Sequence, residues 1–197
     1  MMRIALSGSI GMGKSTVARM FEAAGIPVFD ADAVVRNLQG PGGALVDEIG
    51  KRFPGTVEGG LLDRERLARS VLEDPALLAE LEAIVHPAVR DAREAFIDAN
   101  RDAPALLFEI PLLFETGGDE GFDKVVVVSA PAHAQRARVL ERPGMSEAKF
   151  RSILSRQLPD EEKRRRADFV VDTGTDLPTT EAQVGAIIAC LSLAAGG

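Results

Sequence analysis

The chain has 197 residues, 46% hydrophobic and 27% charged, and its 30 acidic against 23 basic side chains give a formal net charge of −7. That length suits one domain carrying an insertion and a sizeable core, and the composition is neither disordered nor collagen-like. One cysteine, Cys190, excludes an internal disulfide framework; His86 and His133 lack zinc-hydrolase spacing; the acidic balance argues against a general nucleic-acid binder.

No apolar run approaches the roughly 18–20 residues of a membrane span. The amino terminus runs into a short strand without a signal-peptide core, so the expected location is cytoplasmic. Arg3–Leu6 reads as a buried strand, followed by a glycine-rich stretch and a helix from Lys14 to Ala24, with Val17, Ala18, Met20 and Phe21 on one face and Gly25 at its end. Ile26–Phe29 is a second strand, leading into Asp30-Ala31-Asp32. A helix-rich middle follows: Leu45, Val46, Ile49 and Phe53 at helical spacing, a helix from Arg64 to Glu73 capped by Asp63, and another opened by Asp74-Pro75. His86-Pro87 interrupts that pattern, which resumes from Ala88 to Asn100. Ala105–Ile110 and Lys124–Ser129 are near-continuous apolar runs, as strands covered on both faces require, and Phe169–Asp172 is a fifth strand. Helices are expected near 132–141, 146–157 and 160–166, and from Thr180 to Leu193, where Cys190 is expected in the core on an apolar stripe.

Strands separated by helices imply an α/β fold with a five-stranded parallel sheet. The chain divides into a core of 1–32, 105–130 and 167–197, a helical insertion at 33–104 and a second helical excursion at 131–166.

Gly8-Ser-Ile-Gly-Met-Gly13-Lys14-Ser15 matches G-x-x-x-x-G-K-[ST], between an apolar strand and an amphipathic helix. Glycines let successive N–H groups turn inward around phosphate oxygens, and the helix N-terminus adds positive potential. Lys14 is placed for the β- and γ-phosphates of a nucleotide and Ser15 for Mg²⁺, on a P-loop NTPase fold. Asp30 and Asp32 follow the second strand, beyond the sheet edge where ligands sit in such folds. At least one of them is expected in the site, with Asp32 the candidate base; the alternative is that one or both cap the next helix. If the strand continues through them, both point the same way. Glu109, at the end of the third strand, is either a metal partner or a strand-end charge contacting solvent or a neighbouring helix, and Glu115 is a similar but weaker candidate.

Residues 133–166 hold ten basic against five acidic side chains, a local balance of +5 that leaves −12 for the rest. A basic helical segment suggests a lid over phosphate, with Arg138 and Arg142 on one helix face at i,i+4; Lys163 to Arg166 read as a solvated face. His86 alone reads as structural.

Gly8–Thr16, Asp30-Ala-Asp32, Leu62-Asp-Arg64, His86-Pro87, Pro111-Leu-Leu-Phe-Glu115, Gln135-x-x-Arg138-x-x-x-Arg142, Gln157 and Ala167-Asp-Phe169 form an ordered set. This set resembles the dephospho-CoA kinase family over nearly the whole chain. The resemblance implies transfer of the ATP γ-phosphoryl group to the ribose 3′-hydroxyl of dephospho-CoA, with no nucleic acid, membrane or obligate protein partner. It implies that 33–104 binds the CoA moiety and that 131–166 is the lid. Gly8, Gly11, Met12, Gly13, Lys14, Ser15, Thr16 and Arg142 are then expected at ATP, with Ser15 at Mg²⁺. Asp32, Lys14 and Arg138 are expected to be catalytic, and Asp32, Arg64, His86, Leu112 and Phe114 to line the acceptor. One departure is Thr173, where the family often has Asn in Asp-Asn-x-Gly. Another is Glu109, where Asp or an apolar residue is common. A shikimate-kinase-like enzyme is disfavoured by the long insertion, and a GTP switch by the absence of Asn-Lys-x-Asp.

Overall fold

In the computed structural model, which describes residues 1–72 and 74–193, β1 (Met2–Ser7) is the middle strand of the main sheet. Ile4, Ala5 and Leu6 are fully buried, as a strand covered on both faces demands. The sheet has five parallel strands in the order β2-β5-β1-β6-β7, with β2 Val28–Asp30, β5 Ala105–Glu109, β6 Lys124–Ser129 and β7 Phe169–Asp172. Register is tight: Leu6 pairs Glu109 across β1–β5 and Ser7 pairs Val127 across β1–β6. Asp168 starts β7 by accepting from Val125 N–H at 2.8 Å and Lys124 Nζ at 2.9 Å.

The chain forms two compact units: Met1–Phe29 together with the described residues from Asn100 on, and Asp30–Ala99. In the first, α1 (Lys14–Ala23) and α9 (Leu177–Cys190) bury Val17, Phe21, Val184, Ile187 and Ile188 against one sheet face. α1 stops where Gly25 N–H bonds Glu22 O and Ile26 N–H bonds Phe21 O, the double bond pattern of a Schellman end. Leu113 and Phe114 cover the other face beside Ala5, Val125 and Val127. α6 (Ala132–Leu140), α7 (Glu147–Leu154) and α8 (Asp160–Arg166) follow β6.

α9 begins three residues before Thr180, because Asp176 caps it by accepting from Thr179 N–H at 2.9 Å and Pro178 suits the first turn. Cys190 is exposed rather than in the core. At 100° per residue it lies about 110° from the centre of the stripe formed by Val184, Ile187, Ile188 and Leu191.

The second unit packs α2 (Ala31–Leu38), α3 (Val46–Arg52), α4 (Arg64–Val71) and α5 (Pro75–Ala99) around Leu45, Ile49, Phe53, Leu67 and Val71. The strand before Asp30 does not continue. Asp30 accepts from Ala33 N–H at 2.9 Å and caps α2, so Asp30 and Asp32 do not share a strand face. α5 runs unbroken through Pro87, which interrupts the sequence pattern only. Its ring removes one backbone bond, and Ile84, Val85 and Ala88, packed on the unit's core, hold the helix across the gap. A hairpin of β3 (Val57–Glu58) and β4 (Leu61–Leu62), absent from the sequence reading, turns at Gly59-Gly60 with φ of +57° and +77°. Two positive φ values define a type I′ turn, for which Gly-Gly is a strong signal. The expected end of α4 at Glu73 and the last core residues, 194–197, lie outside the described residues. No helix among the described residues is long and apolar enough to cross a membrane.

Candidate active site

β1 delivers the chain into the loop 8–13, and α1 leaves it at Lys14. Gly11 has φ +78°, and a Cβ there would stand 2.5 Å from Val139 Cγ2 and 2.9 Å from the Gln135 carbonyl oxygen. Only glycine satisfies both the backbone and the space. α1 starts on Gly13, which has no side chain to cap it, and the N–H groups of Gly13, Lys14 and Ser15 find no acceptor among the described residues. Several inward donors at a helix N-terminus are the chemistry of a phosphate cradle.

Beneath the loop stands Glu109, the last residue of β5 and 8% exposed. Its Oε1 lies 3.6 Å from Lys14 Nζ and accepts from Ser15 Oγ at 3.4 Å. The β1–β5 register puts it there, opposite Leu6, two residues before the loop. Of the sequence alternatives, contact with solvent does not hold for Glu109, whereas contact with a neighbouring helix does, since Lys14 and Ser15 open α1. No group of three or more His, Cys, Asp or Glu side chains fit for a metal occurs among the described residues. Mg²⁺ needs no such cage: one or two hard oxygen ligands, waters and substrate phosphates suffice, and Ser15 Oγ beside the Glu109 carboxylate fits that requirement.

The loop's outer side is held by side chains. Gln135, 6% exposed on α6, donates Nε2–H to the Ile10 carbonyl at 2.8 Å. Gln157, between α7 and α8, accepts Ile10 N–H on Oε1 at 3.1 Å. Buried Thr173 donates Oγ1–H to the Met12 carbonyl at 2.6 Å. Arg138 donates to Thr173 twice, to Oγ1 at 3.1 Å and to the carbonyl at 2.6 Å. Two guanidinium nitrogens are therefore anchored, and the remaining N–H donors are left for another partner. Gln135 and Gln157 stood in the sequence motifs without a role, and Thr173 only as a departure. Their partners are backbone atoms far along the chain, which no spacing reveals.

The basic segment is largely paired within its own unit. Arg136 meets Glu147 at 2.8 Å, Arg151 also pairs Glu147, Arg165 pairs Glu162, and Arg166 pairs Asp119 at 2.8 Å with its guanidinium 4.5 Å over the Phe114 ring. Lys163 is not solvated as its run suggests: it is fully buried, with Nζ 2.8 Å from Glu115 Oε1. Glu115 also accepts Leu158 N–H at 2.8 Å. Burial pushes its carboxyl up, but the bonds from Lys163 and Leu158 outweigh this and hold it below the ordinary carboxylate range. Arg142 is exposed, and its side chain has no partner among the described residues.

In the unit Asp30–Ala99, an open cleft of about 520 Å³ is lined by Asp32, Arg36 and Arg64 on its polar side and Leu67, Val71 and Leu81 on its apolar side. Asp30 is taken up by its cap and by Arg36 at 3.3 Å. Asp32, exposed in the first turn of α2, has no bonded partner among the described residues. His86 is exposed on α5 and does not line the cleft. In the other unit, Leu112 is 42% exposed, whereas Phe114 is 5% exposed under Arg166 and presents little surface.

Three comparisons show which known proteins the chain is similar to. Residues 2–179 match the family model described as dephospho-CoA kinase. The dephospho-CoA kinase of Novosphingobium aromaticivorans is 54% identical over 183 residues, 93% of this chain and 91% of that protein. The dephospho-CoA kinase of Mesorhizobium japonicum is 52% identical over 190 residues, 95% of each chain. Among solved structures, TT1252 from Thermus thermophilus superposes with a TM-score of 0.82 at 38% identity, covering 99% of this chain and 98% of that one.

Proposed function

The chain belongs to the dephospho-CoA kinase family of ATP-dependent kinases, and from that membership we propose that it phosphorylates the ribose 3′-hydroxyl of dephospho-CoA with Asp32 as general base. The observation that carries the nucleotide half is the loop of free N–H donors whose Lys14 and Ser15 meet one buried carboxylate, Glu109. For the acceptor half, support comes from the cleft in which Asp32 stands unpartnered beside Arg36 and Arg64.

In this reading the 3′-oxygen attacks the γ-phosphorus while the bond from that phosphorus to the β-bridging oxygen breaks. ADP leaves, and the hydroxyl proton passes to the Asp32 carboxylate. Lys14 and the N–H groups of Gly13, Lys14 and Ser15 hold the β- and γ-phosphates before and after the bond change. Gly8, Gly11 and Met12 shape the cradle, and Thr16 continues it into α1. Ser15 Oγ and Glu109 would hold Mg²⁺, which would supply positive charge to neutralise the phosphates. Arg138, oriented by Thr173, and the unpaired Arg142 supply positive charge to the transferring group. A guanidinium already fixed on one edge loses little freedom when its other edge takes a phosphate. Arg64 and Arg36 face the phosphates of the acceptor, and Leu67, Val71 and Leu81 offer its apolar contact. His86 and Leu112, both exposed, remain as outer acceptor contacts, whereas Phe114, buried beneath the Arg166 guanidinium, acts through that packing. Residues 131–166 act as the lid and 33–104 as the acceptor region, in a cytoplasmic enzyme that needs no obligate protein partner.

The test is ADP release with ATP and Mg²⁺, comparing dephospho-CoA, shikimate and no acceptor. Turnover with dephospho-CoA alone is expected. Equal turnover with shikimate, or none above the no-acceptor rate, overturns the acceptor assignment. A thermal shift with GTP but not ATP overturns the nucleotide assignment.

A further inference from the structure

The two peptide groups that flank Ile10 are each held by a side-chain amide. The Ile10 N–H donates to Gln157 Oε1 at 3.1 Å, and the Ile10 carbonyl accepts from Gln135 Nε2 at 2.8 Å. The two glutamines come from different elements. Gln135 is on α6, whose Val139 also fills the space at Gly11, and Gln157 lies in the connection between α7 and α8. The connection is itself pinned: the next residue, Leu158, donates N–H to Glu115, which pairs with buried Lys163 on α8. A chain of bonded groups thus runs from β5's following segment, through α8, to the phosphate loop.

A glycine-rich loop has many backbone conformations, and a phosphate cradle needs the one in which its donors turn inward. Holding the Ser9–Ile10 peptide by its N–H and the Ile10–Gly11 peptide by its carbonyl restrains rotation of both peptide groups immediately before Gly11. We propose that Gln135 and Gln157 are positioning residues, a two-sided amide clamp that sets the phosphate loop in its binding conformation and couples it to the helices 131–166. The clamp rests on the reading of this loop as the ATP site; it makes no demand on the acceptor. Neither glutamine need touch substrate.

The clamp has a polarity that its test exploits. Gln135 must donate and Gln157 must accept, because a carbonyl only accepts and an N–H only donates. A carboxylate accepts but does not donate. The same substitution at the two positions therefore has opposite consequences, although each adds one negative charge. ATP dissociation constants are measured by titration with Mg²⁺ and no acceptor, alongside KM for ATP and kcat. Gln135→Glu is expected to weaken ATP by about tenfold or more, the scale of one uncompensated polar group. Gln157→Leu is expected to do the same, and Gln157→Glu to recover most of that loss relative to Gln157→Leu. The change should fall mainly on KM rather than kcat. Gln135→Met, which keeps the length of the side chain and removes the donor, should match Gln135→Glu and guards against a charge effect. Equal losses in the two Glu variants, or wild-type ATP affinity in Gln157→Leu, overturn the clamp. If the wild type binds ATP but does not turn over dephospho-CoA, only the acceptor assignment fails; if the wild type does not bind ATP, the site reading fails and the clamp with it.

Discussion

Arg138 donates twice to Thr173, to the hydroxyl at 3.1 Å and to the carbonyl at 2.6 Å, and the same hydroxyl donates onward to the carbonyl of Met12 at 2.6 Å. One threonine hydroxyl thereby joins the arginine of α6 to the phosphate loop. Thr173 N–H is itself fixed on Ser129 O at 2.8 Å, so the junction is anchored to the end of β6.

Thr173→Val keeps the shape and removes both bonds of that hydroxyl. The Met12 carbonyl loses its donor and Arg138 loses an acceptor. ATP KM is expected to rise by about tenfold, with about 1–3 kcal/mol lost in stability. Thr173→Ser should restore both. Kinetics and urea midpoints on the two variants check this.

Asp32→Asn is expected to bind ATP as the wild type does, since Asp32 lies outside the phosphate loop, and to lose about 10²–10⁴-fold in kcat, the usual contribution of a positioned base. Single-turnover phosphoryl transfer, with ATP titration as control, decides it. Near-wild-type kcat removes Asp32 from the base role.

Glu109→Gln preserves size and hydrogen bonding toward Ser15 but removes the charge beside Lys14. The Mg²⁺ concentration for half-maximal rate is expected to rise by about tenfold, the range found when a carboxylate at a metal site is altered. A rate titration in Mg²⁺ at saturating ATP measures it.

Glu115 and Lys163 form the most buried charge pair of the structure's described residues, with side chains 13% and 0% exposed. Glu115→Gln leaves the Lys163 ammonium without its counter-charge and is expected to cost about 3–5 kcal/mol, whereas adding Lys163→Met should recover a large part. The Glu115 carboxyl is held below its ordinary value of 4.5. Its stabilising contribution is therefore complete above that pH and is lost as pH falls through the lowered folded value. Wild-type stability should decline on acidification below about pH 4.5, more steeply than that of the double variant, as chemical denaturation at stepped pH will show.

Much of this was legible along the chain. Five strands, the loop Gly8–Ser15 and the family resemblance need only periodicity, glycine spacing and an ordered set of motifs. Short-range chemistry misled at several points, Cys190 among them. Pro87 reads as a break, yet α5 passes through it because packing at Ile84, Val85 and Ala88 outweighs one missing bond. Lys163 reads as one of a solvated run, yet it alone turns inward to Glu115, 48 residues earlier in the chain. The Gly59-Gly60 pair carries a turn signal of its own, but its flanking strands are only two residues each, too short for a period to register.

The sequence by itself determined the sheet, the phosphate loop and the acids and bases available to it, because those follow from local preference and from residues adjacent in the chain. Only the tertiary structure decided which groups those residues meet. Glu109 reaches Lys14 and Ser15 through strand register, Thr173 reaches Met12 through the β6–β7 ends, and Gln135 and Gln157 reach Ile10 through helix packing. The sequence separations are 94 residues or more, and at such distances a partner is chosen by burial and hydrogen-bond satisfaction, not by spacing.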